Sequence, residues 1–267
     1  MKSKGGLWLL AGLVLAAVLI GVLTAPRRDA GAVDVSPEEL RAGREYLARQ
    51  AEKDPAAVDA GLKQRDAEQR ARARAELLEK LCQDEAGIWS RFNNYVLMGE
   101  ALSTGFSVYG YLSEERVLAD NNATINSIPK RLTAAAAKRP EVVFLCYGIN
   151  DLNSGNWPTP DSYAQDLMEM AALVREKIPG ARLVVSSILP VQEKAVNRNA
   201  YWARIPEYNA ALEAACAKNR IEFADVSRLA AEHSDLWESD GIHLRPGFYR
   251  YWACCLIACV EEPAYED

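Results

Sequence analysis

From Gly5 to Pro26 the chain carries no charged side chain, and the core of that run, LWLLAGLVLAAVLIGVLTA, is apolar throughout. It is longer than the roughly 7 to 15 residues of a cleavable signal core and reaches the about 20 residues needed to cross a bilayer. The pattern predicts a single-pass N-terminal anchor over residues 1–28, with the rest of the chain outside the cytoplasm. The alternative is cleavage at the small-residue stretch Ala30–Ala32, which would give a secreted protein. Lys2 and Lys4 on one flank face Arg27 and Arg28 on the other, so the flanks do not fix the orientation.

Residues 29–88 read as a hinge followed by a helical spacer. Gly31, Ser36 and Pro37 punctuate a stretch without period. Ala, Glu, Arg, Lys, Gln and Leu then dominate, as in QRDAEQRARARAELLEKL, and all favour helix. Asp54 before Pro55 has the form of an N-cap with proline at the first helical position. A helix from there to Leu81 would be about 40 Å long. Its apolar stripe is thin, which predicts a solvated spacer or loose coiled coil, with the binding of a partner helix as the other reading.

From Asn94 the texture changes to short apolar runs, YVLMG, RVLAD, EVVFLCYG, RLVVSSILP and IEFADVS. They alternate with helical segments that begin near Ala101, Ile128, Pro160, Ile205 and Pro246. Strict alternation of this kind predicts a mostly parallel sheet with helices on both faces, and near-continuous apolar runs are what doubly covered strands require. Ligands of such sheets sit beyond the C-terminal ends of the strands. Four stretches therefore come into view, Gly99–Ser103, Asp120–Thr124, Gly148–Asn156 and ESDGIHL.

Composition narrows the field. The 267 residues are 49% hydrophobic and 25% charged, enough for one good-sized core, and the net charge of −6 provides no field to condense a polyanion. Nucleic acid is excluded as an expected partner. The six cysteines, Cys82, Cys146, Cys216, Cys254, Cys255 and Cys259, match no zinc spacing and read as small buried residues, with a bridge from Cys216 to the C-terminal group left open. Two histidines and scattered cysteines assemble no recognisable metal or organic-cofactor site.

His233, in AAEHSDLW, has the setting of a solvated or capping residue, whereas His243 follows Asp240 by three residues in SDGIHLRP. At that separation a carboxylate can address one ring nitrogen and leave the other free to take a proton. Asn150 and Asp151 directly follow a buried strand, where a side-chain amide could donate to a developing oxyanion or simply turn the chain.

Together these stretches carry a resemblance. GEALSTG from Gly99 resembles the G-D-S-L-T-x-G block of the SGNH, or GDSL, hydrolase family; GIND, Gly148–Asp151, is similar to its G-x-N-D block, and DGIH, Asp240–His243, to its D-x-x-H block. Order and spacing agree across roughly residues 94–260. The resemblance implies a flavodoxin-like three-layer α/β/α fold with a five-stranded sheet, placed here over residues 89–267. It also implies ester hydrolysis through a Ser-His-Asp mechanism, often of acyl groups on carbohydrate or cell-wall glycan. Carried over residue by residue, it makes His243 the base, Asp240 its orienting carboxylate, and residue 101, Asn122 and Asn150 the oxyanion donors.

This sequence departs from the pattern at three positions. Ala101 stands at the nucleophile, Glu100 where the family has aspartate, and Asn122 where the second block has glycine. Asparagine tolerates positive φ better than most residues, so the backbone donor at 122 can survive the change. The missing hydroxyl has no such remedy. Ser103 is rotated about 200° along a helix from position 101, and Thr104 sits about 4.5 Å further along the axis. Loss of the serine from a comparable triad costs on the order of 10⁶ in turnover. The alanine reads as the natural state of a pseudoenzyme or as a substitution made to disable the site.

Three readings stay open: an impaired esterase of acylated glycan, a non-catalytic glycan-binding or scaffolding module, and an enzyme in which His243 activates water directly. Trp157, Tyr201 and Trp202, in loops after strands, suit either sugar stacking or the packing of a lid.

Overall fold

The computed structural model of the chain describes residues 36–51 and 55–261. The anchor expected over residues 1–28 lies outside the described residues; among those described, no helix is long and apolar enough to cross a membrane. The chain divides into two compact units, Met1–Gln64 and Arg65–Asp267.

In the first unit lies helix α1 (Pro37–Ala51). Ser36 opens it with a reciprocal cap: its hydroxyl accepts from Glu39 N at 3.2 Å, and the Glu39 carboxylate accepts from Ser36 N at 2.8 Å. Helix α2 (Pro55–Gln83) follows, and its turns from Arg65 onward belong to the second unit. There the thin apolar stripe thickens at LLEKLC. Leu81 is buried in the core of that unit, with Leu77, Leu78 and Cys82 packed against it, so the end of the expected spacer is an integral part of the globular body. An ion cluster adds to the attachment. The buried Glu222 carboxylate accepts from Arg74 and from Arg182, each at 3.0 Å, and Arg74 also donates to the Phe223 carbonyl at 3.2 Å.

The five apolar runs form the five expected strands: β1 (Tyr95–Gly99), β2 (Val117–Ala119), β3 (Val142–Cys146), β4 (Arg182–Ser186) and β5 (Glu222–Ala224). They make one sheet in the order β2-β1-β3-β4-β5, and all four pairings are parallel. Register brings Gly99 opposite both Ala119 and Cys146, so three strands end level with one another. Every residue of β1 and β3 is buried, which requires cover on both faces.

The cover is helical: α3 (Ala101–Val108), α4 (Ile128–Ala137), α5 (Ile149–Ser154), α6 (Pro160–Lys177), α7 (Glu193–Val196), α8 (Ile205–Lys218), α9 (Ser227–Glu232) and α10 (Tyr249–Glu261). Helices α4, α6 and α8 pack in sequence, while α10 packs against β4 and β5. All six cysteines are free thiols, so the bridge left open for Cys216 is not formed. Cys216, Cys254, Cys255 and Cys259 are instead fully buried among apolar neighbours, where a small side chain packs without a covalent link.

Candidate active site

The turn from β1 into α3 is tight. A Cβ at Gly99 would collide with the Ser103 side chain and come within 2.8 Å of the Cys146 carbonyl oxygen, so only glycine lets the strand end there. Glu100 stays extended at φ −108° and ψ −166°, and Ala101 begins the helix. The first backbone bond of α3 runs from Ser103 N to Glu100 O at 2.9 Å. The Ala101 N–H is thereby left at the helix mouth, where an outside acceptor can take it.

Neither neighbouring hydroxyl replaces the missing one. Ser103 is fully buried and donates to the Cys146 carbonyl at 3.0 Å; Thr104 donates to the Ala101 carbonyl at 2.7 Å.

Beyond β2 the chain turns through Asp120–Ala123, closed by Ala123 N donating to Asp120 O at 3.1 Å. Asn122 is exposed in that turn and is not among the residues with positive φ, so the tolerance of asparagine for left-handed backbone is not called on here. Asn150 also departs from the simplest expectation. Its carboxamide nitrogen donates to the carbonyls of Asn121 at 2.9 Å and Ala123 at 3.0 Å, so its two N–H groups brace the β2 turn.

The β3 turn pivots on Gly148, whose φ of 142° is glycine territory and whose missing side chain makes room for Ile188. Asp151 is wholly buried and accepts from Ile125 N at 2.9 Å. Glu100, also buried, accepts from Ile149 N at 3.2 Å and Asn150 N at 2.8 Å. Desolvation pushes the Glu100 carboxyl up to about 8, with the Asp151 charge adding to it and the Asn150 and Ile149 N–H groups opposing. Desolvation likewise pushes Asp151 up to about 7 against the N–H groups of Ile125, Asp151 and Gly148. Around the pair, the Tyr147 and Tyr163 hydroxyls and Asp151 Oδ2 are buried with no hydrogen-bond partner among the described residues.

Asp240 and His243 come together as their spacing suggested. Asp240 Oδ2 meets His243 Nδ1 at 2.5 Å, and Asp240 Oδ1 accepts the backbone N–H groups of Ile242 at 2.9 Å and His243 at 3.0 Å. Burial would raise the Asp240 carboxyl, but the His243 ring and these two N–H groups hold it down at about 2. The imidazole is exposed, so Nε2 is accessible to a proton donor.

Two residues that no sequence pattern singles out hold this turn beyond the C-terminal end of β4. Gln192 N donates to the Gly241 carbonyl at 2.9 Å, and the Arg198 guanidinium donates to the Asp240 carbonyl. Next to it, Asn199 donates to the Asn153 side chain at 2.9 Å, which links the same segment to α5.

The aromatic residues separate. Trp157 is buried, donates to Asp166 at 2.8 Å and packs edge-on against Tyr163; Trp202 is buried too. Both are therefore packing residues rather than open stacking surfaces, because the loops that carry them fold back onto the body. Tyr201 alone of the three is exposed, at 46%. His233 stacks on Tyr251 with ring centroids 3.7 Å apart. Among the described residues no three metal-ligating side chains gather.

The profile of the GDSL-like lipase/acylhydrolase family matches residues 86–251. Among solved structures, a GDSL-like lipase from Bacteroides thetaiotaomicron superposes with a TM-score of 0.50 at 17% identity, covering 67% of this chain and 97% of its own. The acetyl xylan esterase AlAXEase superposes with a TM-score of 0.50 at 16% identity, covering 62% of this chain and 99% of its own. At these identities the superpositions establish the shared fold. No curated protein matches the chain by sequence.

Proposed function

The chain belongs to the GDSL-like lipase/acylhydrolase family, and from that premise we propose that its second unit carries an ester-hydrolase site for O-acyl groups on carbohydrate, such as cell-wall glycan, from which the attacking hydroxyl is missing. The observation that carries this reading is a contrast between two stretches that the family resemblance assigns to one site. The Asp240–His243 pair is intact at 2.5 Å, while residue 101, at the helix mouth after β1, ends in a methyl group. An acetyl xylan esterase among the structures of the same fold supports acetylated sugar as the substrate class.

With a serine at 101, the steps follow from the roles of these groups. The hydroxyl would attack the ester carbonyl as His243 Nε2 takes its proton, and the imidazolium would return that proton to the departing sugar hydroxyl as the ester bond breaks. Water deprotonated by the same ring would then free the acyl group as its acid, with Asp240 holding the ring and stabilising the imidazolium. The N–H groups of residue 101 and Asn122 would receive the oxyanion, with Asn150 bracing the loop that carries Asn122. With alanine, acyl transfer to the protein cannot begin. Binding and the oxyanion donors alone retain only about 10³ to 10⁴ over water.

The test is Ala101→Ser, assayed on acetylated xylo-oligosaccharide and p-nitrophenyl acetate. The serine variant should release acetate and lose that activity on adding His243→Ala. A serine variant as inert as the parent would refute the reading.

A second reading is supported by the alanine itself: the site keeps its N–H donors and the exposed Tyr201 and binds acylated glycan without cleaving it. Retention on native but not de-O-acetylated glycan supports it; no retention on either removes it. On both readings residues 1–28 hold the protein at the outer face of a membrane. Extraction of the full chain from membranes by alkaline carbonate would argue against that placement.

A further inference from the structure

The helix that begins at Ile149 has no cap of its own. Its N-cap position is Gly148, which has no side chain, so the first N–H groups of α5 need an acceptor from elsewhere. That acceptor comes from 49 residues upstream. Glu100 places Oε1 at 3.2 Å from Ile149 N and Oε2 at 2.8 Å from Asn150 N, using both oxygens on two consecutive backbone groups.

The same residue is covalently joined to position 101, and its own backbone is committed at both ends: Glu100 N donates to Cys146 O at 3.2 Å, and Glu100 O accepts from Ser103 N at 2.9 Å. On the far side, Asn150 holds the carbonyls of Asn121 and Ala123, and Asp151 holds Ile125 N. The buried Glu100 carboxyl therefore joins the turn after β1 to the turn after β3, and the Asn150 amide with the Asp151 carboxyl joins that turn to residues 121–125. Because the Glu100 side chain is 4% exposed, water cannot substitute for it at the two N–H groups.

We propose that Glu100 is a positioning residue: its carboxyl group fixes the Asn150 turn, and through it the Asn122 turn, against the backbone N–H of residue 101. The proposal rests on the ester-site reading above and adds the group that sets the site's width. A residue that merely filled space would not need two oxygens on two successive N–H groups.

Among titratable groups, Asp151 on the adjoining turn acts on Glu100, and the Glu100 charge in turn raises the Cys146 thiol at the end of β3 and the Tyr163 hydroxyl of α6; Tyr147, beside them, is raised by burial and by Cys146 and Asp151, with Arg131 opposing and Asp120 adding. The charge of Glu100 is thus held by backbone N–H groups in a setting that otherwise disfavours it. Ionisation should be felt first by the two amides it touches.

The experiment is a pH titration of the full ¹⁵N-labelled chain by NMR. The Ile149 and Asn150 amides should move together along one curve with a midpoint near that of Glu100, about 8. Because Asp151 titrates beside them at about 7, the assignment is made in Asp151→Asn, where the curve should persist with a lower midpoint. In that background both amides should stay flat on adding Glu100→Gln, which keeps the shape and removes the charge, and titrate again with Glu100→Asp. Silent amides in Asp151→Asn, or a curve that survives Glu100→Gln there, would overturn the proposal.

A second arm uses Ala101→Ser. Adding Glu100→Gln should lower kcat by roughly 10²-fold with KM little changed, as misplacement of a donor does; an unchanged kcat would contradict the positioning role. If Ala101→Ser proves inert, the ester-site reading fails, while the amide titration still decides the role of Glu100.

Discussion

Asp240 engages His243 twice, through Oδ2 to the ring nitrogen at 2.5 Å and through Oδ1 to the backbone N–H at 3.0 Å. One carboxylate thus shapes the turn and selects the tautomer in which Nδ1 carries the proton and Nε2 is free. In the Ala101→Ser background, Asp240→Asn should lower kcat by about 10³ to 10⁴ while leaving the fold intact, read by steady-state kinetics and circular dichroism. The folded value of this carboxyl lies below its ordinary 3.8, at about 2. Its contribution to stability is therefore present above 3.8 and lost as pH falls through about 2, and Asp240→Asn should blunt that acid transition.

The buried pair Glu100 and Asp151 acts in the opposite direction. Their folded values are raised to about 8 and about 7, so the folded state holds protons that the unfolded chain has released. Stability from these groups is full below the ordinary carboxyl range and is lost as pH rises through about 7 to 8. Calorimetry should show the melting temperature falling by at least about 4 °C between pH 5 and pH 9, and Asp151→Asn should flatten that slope.

The thiols differ sharply in reach. Cys82 is part-exposed, and a hydrogen bond from the Cys254 thiol holds it below the ordinary thiol range, whereas burial raises Cys216 to about 12 and keeps Cys146 and Cys255 protonated. Iodoacetamide on the native chain should label Cys82 first, located by peptide mass spectrometry, with the buried thiols reacting only after denaturation. Even labelling of all six would contradict the packing of α10.

Gly148 combines positive φ with a close approach to Ile188. Gly148→Ala should cost about 2 kcal/mol or more, seen as a lower urea midpoint, and should displace the Asn150 turn. A wild-type midpoint would show that the turn relaxes freely.

The sheet was legible because its strands are apolar runs of the length that doubly covered strands need, each followed by a helical segment. YVLMG and EVVFLCYG end within a residue or two of where β1 and β3 end. The Asp240–His243 pair was legible because its partners lie three residues apart, within one turn. Glu100 was visible only as a departure from a motif, since its partners Ile149 and Asn150 are backbone groups 49 and 50 residues away. Gln192 and Arg198 were not legible, because bonds to carbonyls leave no mark on side-chain pattern. Trp157 and Trp202 were ambiguous for a different reason: an aromatic ring in a loop has the same sequence signature whether it faces a ligand or the core.

The central claim is that a hydroxyl at residue 101 would stand within reach of the imidazole of His243. Treatment of Ala101→Ser with a fluorophosphonate, followed by peptide mass spectrometry, tests this directly. A single phosphonyl adduct on residue 101, absent from the parent and lost when His243→Ala is added, is the result the account predicts. No adduct on the serine variant, or one that persists without His243, would contradict it.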